Sequence, residues 1–125
     1  MSTHLLTRLG AGAIALLLLP ALAVAARPVP PALAEEFVQA CEVQLELTDT
    51  QRAGLRTYLE QEIEYLNVQA ANHSAAEVAE LIPAEREQLQ RVAGRLLSPG
   101  QLRHFRDLEA TPQMRKYLHD MSLGD

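Results

Sequence analysis

The sequence predicts an all-α protein, a small bundle of about four to five helices in a bent, hairpin-like subunit. Strong helix formers (Ala, Leu, Glu, Gln and Arg) are abundant, while the chain holds only two Phe, three Tyr and no Trp. Apolar residues recur at intervals of three and four, the period of a helix with one buried face. No segment alternates with period two for long enough to make a strand.

The opening residues carry His4 and Arg8 and no acidic group, and an 18-residue apolar run follows from Leu9 to Ala26. Small residues close the run and offer cleavage sites at Ala21-Leu22-Ala23, Ala23-Val24-Ala25 and Val24-Ala25-Ala26. A basic start, an apolar middle and small residues at minus three and minus one describe a secretory signal peptide over 1–26, cleaved near Ala23–Ala26. The run only reaches the lower limit for a spanning helix, and Pro20 interrupts it. Membrane contact is therefore expected only during export. No cysteine follows closely, which argues against a lipid-modified N-terminus. Cleavage leaves one domain of roughly 100 residues. Pro-rich RPVPP (27–31) reads as an extended lead-in, 27–34, ahead of a helical domain at 35–122.

The first helix is expected over Ala32–Glu46, with Leu33, Phe37, Cys41 and Leu45 in a regular i, i+4 series. The second runs from Thr48 to about Ala71. Its stripe is Leu55, Leu59, Ile63, Leu66 and Ala70, with Glu62 placed outward. ANHS (71–74) breaks it, and Ser74 with Glu77 opens a third helix through Val78, Leu81 and Ile82. Pro83 then either kinks a long helix or begins a new one carrying Leu89, Val92, Ala93 and Leu96. A fourth helix, Gln101–Glu109, presents Leu102, Phe105 and Leu108. Thr111-Pro112-Gln113 starts the last, with Met114, Tyr117, Leu118 and Met121.

Up to Glu80, from Arg27, three Arg face ten acidic residues; the remainder is nearly balanced. An acidic balance argues against a general nucleic-acid binder. Arg91, Arg95, Arg103 and Arg106 could still form a local basic patch, or simply a solvated face with i, i+4 charge pairs. So thin an aromatic content buries a small core, and dimerisation would relieve that shortage. The single cysteine, Cys41, excludes an intramolecular disulfide. It reads first as a small buried hydrophobe, and alternatively as an intersubunit disulfide across a dimer axis.

Two short stretches share a pattern: Leu47-Thr48-Asp49-Thr50-Gln51 and, fifty residues later, Leu97-Ser98-Pro99-Gly100-Gln101. In each, the hydroxyl can cap a helix and the Gln can reach back to the cap amide. Pro99 suits the first helical position. At the same offset Leu55 matches Phe105 and Arg56 matches Arg106. On these residues the chain resembles the Spy/CpxP-like family of bacterial periplasmic proteins, defined by paired LTxxQ motifs, with Ser98 in place of the second Thr. The resemblance covers roughly 35 to 122. It implies hairpin-like helical subunits pairing into a curved homodimer in the periplasm. It also implies one of three roles: ATP-independent chaperone, accessory to an envelope-stress sensor domain, or metal-responsive protein. Partners would be unfolded or stress-related proteins, met on faces that include Arg52, Arg56, Arg91, Arg95, Arg103 and Arg106. The acidic first half departs from a strongly basic concave face.

No G-x-x-x-x-G-K-[ST] loop is present, and no cofactor is expected. His73, His104 and His119 are the only candidate metal ligands past the leader besides Cys41. His73/Glu77 and His104/Asp107 have usable spacing, but nothing clusters, so surface histidines are the plainer reading. Glu60, Glu62 and Glu64 are read as spread over different faces, with no acid–base pair. No nucleophile motif appears, and catalysis is not expected. The remaining alternative is a purely structural interaction module.

Overall fold

A computed structural model describes residues 28–124. The expected signal peptide over 1–26 and its cleavage sites lie outside the described residues. Among the described residues the fold has five helices: α1 (Ala32–Leu45), α2 (Asp49–Asn72), α3 (Ala75–Leu96), α4 (Pro99–Glu109) and α5 (Pro112–Asp120). Among the described residues there is no strand, as the absence of period-two alternation requires.

Helix starts are written locally. Thr48, Ser74 and Ser98 each accept a hydrogen bond from the amide three residues on, and each donates its own amide to that residue's side-chain oxygen. Thr111 caps α5 in the simpler one-sided form. The first helix ends at Leu45, one residue earlier than expected, with Glu46 capping it in the left-handed region (φ 54°). At Pro83 the chain neither stops nor restarts, and α3 runs unbroken through it. Pro83 has no N–H to offer the carbonyl of Ala79. Both residues are exposed, so water can take that role.

α1 is the centre of the packing, touching α2, α4 and α5, while α3 lies against α2 and α4. Phe37 of α1 meets Phe105 of α4 and Tyr117 of α5 edge-on, each at 6.3 Å between ring centres. Edge-to-face contact suits the ring quadrupoles and adds to the area that these residues bury. Leu55, Leu59, Ile63 and Leu66 of α2 and Leu89 and Ala93 of α3 complete the core.

Both margins of the domain extend past the expected 35–122. Ala34 is fully buried. The lead-in is tied down as well: the Val29 amide donates to Asn67 Oδ1 at 2.8 Å, and Asn67 Nδ2 donates to the Val29 carbonyl at 3.0 Å. At the other end Leu123 is buried, its amide bonded to the Leu118 carbonyl behind a left-handed Ser122. Gly124 packs on that same turn so closely that a Cβ would stand 2.8 Å from the His119 amide nitrogen.

Candidate functional site

The paired motifs meet. Gln51 Nε2 donates to Gln101 Oε1 at 2.7 Å, and Gln101 Nε2 donates to Gln51 Oε1 at 3.1 Å. Each amide group also donates to the end of a neighbouring helix, Gln51 to the Leu96 carbonyl and Gln101 to the Leu45 carbonyl. Their oxygens meanwhile accept from the cap amides of Thr48 and Ser98. Each glutamine thus serves its own helix start, its counterpart and the last carbonyls of another helix, which a helix end otherwise leaves unpaired. Leu47 and Leu97 are buried beneath, with the matched pair Leu55 and Phe105 deeper still. The joint is a near-symmetric weld of α1/α2 to α3/α4.

The symmetry fails at the arginines. Arg56 bonds Glu35 across the α1–α2 contact, whereas its counterpart Arg106 is exposed on α4. Arg52 is held between Glu42 of α1 and Asp49. Two of the six candidate arginines are therefore spent within the subunit. Arg91 lies 3.8 Å from Glu87 on its own helix, the charge pairing expected of a solvated face. Arg95, Arg103 and Arg106 are exposed.

Cys41 is fully enclosed in the core. Burial, then the charge of Glu109, pushes its thiol up to about 12. Within the single subunit described, the sulfur is not exposed for an intersubunit disulfide. The buried-hydrophobe reading is the one that fits. His73 ends α2 with Nδ1 3.9 Å from Glu77, and His104 and His119 are exposed on α4 and α5. Among the described residues no three His, Cys, Asp or Glu side chains are grouped to hold a metal ion.

One placement overturns the sequence reading. Glu62 points inward, with 6% of its surface exposed. Glu62 Oε2 and the Tyr58 hydroxyl are sealed from solvent without a hydrogen-bond partner. Burial first, then Glu85 of α3, pushes Glu62 up to about 8. Burial also raises Tyr58, helped by Glu62 and Glu85 and opposed by Arg91. Helical phase could have found Glu62. It stands seven residues after Leu55, three after Leu59 and four before Leu66, on the buried stripe.

Beyond this pair the α2–α3 hairpin opens. Between Leu66 and Leu89 no side chain is fully buried. An apolar groove of about 360 Å³ runs there, lined by Val29, Leu66, Ala70, Val78 and Ile82. Tyr65 and Val68 stand exposed on α2, outside the lining of this groove. A larger recess of about 650 Å³ beside α5 has mixed walls, with Arg86, Glu109, Arg115 and Lys116 beside Leu118 and Leu123. Comparison with known proteins adds nothing to this geometry: no protein-family model, no curated protein and no solved structure matches the chain.

Proposed function

We propose that the chain is an exported, ATP-independent protein-binding protein, chaperone-like or accessory to an envelope-stress sensor, that holds apolar segments of unfolded or stress-related proteins along the open end of the α2–α3 hairpin. One observation carries this reading. The hairpin tip offers a shallow apolar groove and exposed Tyr65 and Val68, with no fully buried side chain from 67 to 88. Short aliphatic side chains over a small area favour weak, adaptable contact over tight recognition of one sequence. The resemblance through Leu47-Thr48-Gln51 and Leu97-Ser98-Gln101 supports the same role, and the apolar Leu9–Ala26 supports export to a periplasm, where no nucleotide is available.

The test is aggregation of a chemically denatured client mixed with the mature chain at a near-equimolar ratio. Slowed aggregation is expected, with Val78→Asp/Ile82→Asp losing most of the effect while keeping its helical spectrum. Unchanged aggregation with the wild-type chain rejects the reading.

A further inference from the structure

The lead-in meets the tip groove in the manner of a bound peptide. Residues 28–31 read Pro-Val-Pro-Pro, so Val29 carries the one backbone N–H among them. Pro30 behind it favours extended backbone at Val29, and Pro28 fixes the approach. Pro28 and Pro30 are exposed, while Val29 between them is half-buried against the core. One side chain in and its neighbours out is the pattern of an extended segment lying on a surface. Val29 and Asn67, 38 residues apart, stand together on the wall of the groove of about 360 Å³.

Asn67 treats Val29 as a neighbouring β-strand would. Its Oδ1 accepts from the Val29 amide at 2.8 Å, and its Nδ2 donates to the Val29 carbonyl at 3.0 Å. A side-chain amide carries an acceptor and two donors, the same kinds of group as a peptide unit, so it can pair with both main-chain groups of one residue. Such a contact reads backbone and leaves the side chain to be judged by the groove. The groove suits an aliphatic group, since Leu66, Ala70, Val78 and Ile82 line it. The hold on residues 28–30 is slight, with only the Val29 side chain half-buried.

We propose that Asn67 is a main-chain reader for extended peptide segments, and that Val29 of the lead-in holds the place that a segment of another protein takes. The ligand class is an extended stretch with an aliphatic residue ahead of a proline, which keeps that residue out of a helix. Two neutral hydrogen bonds and one small aliphatic side chain make a weak contact. Exchange of the lead-in for a like segment trades equal bonds, which suits partners that vary in sequence. That the partner is an unfolded protein rests on the proposed function; binding of a short peptide at Asn67 does not.

The probe is a capped synthetic peptide with the sequence of residues 27–31, titrated into the isotope-labelled mature chain while the Asn67 side-chain amide signal is followed. Val29→Asp puts a charge against the apolar groove and should undock the lead-in. That variant should bind the peptide about tenfold more tightly than wild type. The same peptide with its valine N-methylated keeps the side chain but has no N–H to give, and should bind the variant about tenfold more weakly. Asn67→Ala added to Val29→Asp should weaken binding as much. An unmoved Asn67 signal in Val29→Asp at about 1 mM peptide, or an affinity that any one of these three changes leaves alone, overturns the proposal. Should Val29→Asp fail to fold, Val29→Gly takes its place with the same outcomes. Peptide binding without slowed aggregation leaves this site standing and rejects the chaperone reading; slowed aggregation without peptide binding does the reverse.

Discussion

The joint where the two Leu-Thr/Ser-x-x-Gln motifs meet and the far tip of the α2–α3 hairpin are ends of the same two helices, built in opposite ways. At the joint, Gln51 and Gln101 satisfy each other, two cap amides and two helix-end carbonyls, over buried Leu47, Leu97, Leu55 and Phe105. At the tip, the capping box of Ser74 and Glu77 organises the backbone, but the side chains between Leu66 and Leu89 are at most half-buried. Fully paired polar groups over a packed core admit one arrangement. Half-exposed aliphatic groups admit many. If the proposed holding of variable partners is right, keeping these properties at opposite ends of one hairpin serves it.

Equal surgery at the two ends should give unequal results. Phe105→Ala removes a fully buried ring in contact with Phe37, and should cost about 3–5 kcal/mol in urea unfolding. Gln51→Ala strands Gln101 and a helix-end carbonyl, at about 2 kcal/mol. Gln101→Ala should cost about as much, and the double variant clearly less than the sum, because each single change already breaks the shared bonds. At the tip, Ile82→Ala removes a half-buried group and should cost only about 1 kcal/mol. A tip change as costly as Phe105→Ala would erase the contrast between the two ends.

The joint was legible because its signals are short-range. Thr48 with Gln51 and Ser98 with Gln101 each spell a helix start within four residues, and the common offset of fifty hinted that they belong together. That the two glutamines touch could not be read, since contact across fifty residues depends on how α1 and α3 return. Glu62 was misread for a different reason. Its charge outweighed its phase, although the spacing to Leu55, Leu59 and Leu66 places it inward. Glu85, which raises its carboxyl further, lies on another helix, where no local pattern points to it. Arg52 and Arg56 were likewise read as available cations, because Glu42 and Glu35 reach them only through the packing of α1 on α2. Cys41 followed its period faithfully. Pro83 left two outcomes open, and the surrounding capping box and stripe were strong enough to carry the helix through it.

The Gln51–Gln101 bond also sets an order of events. It closes a loop of fifty residues, whereas α2 and α3 turn back on each other across only two. Loop closure over the longer span carries the larger entropy cost, so the hairpin should form early and the joint last. In a chevron experiment Gln51→Ala should then speed unfolding and leave the folding rate almost unchanged. A chain emerging N-terminus first has both long helices available before the weld between them can be made. Until residue 101 arrives, the hairpin is a folded half without its fastening.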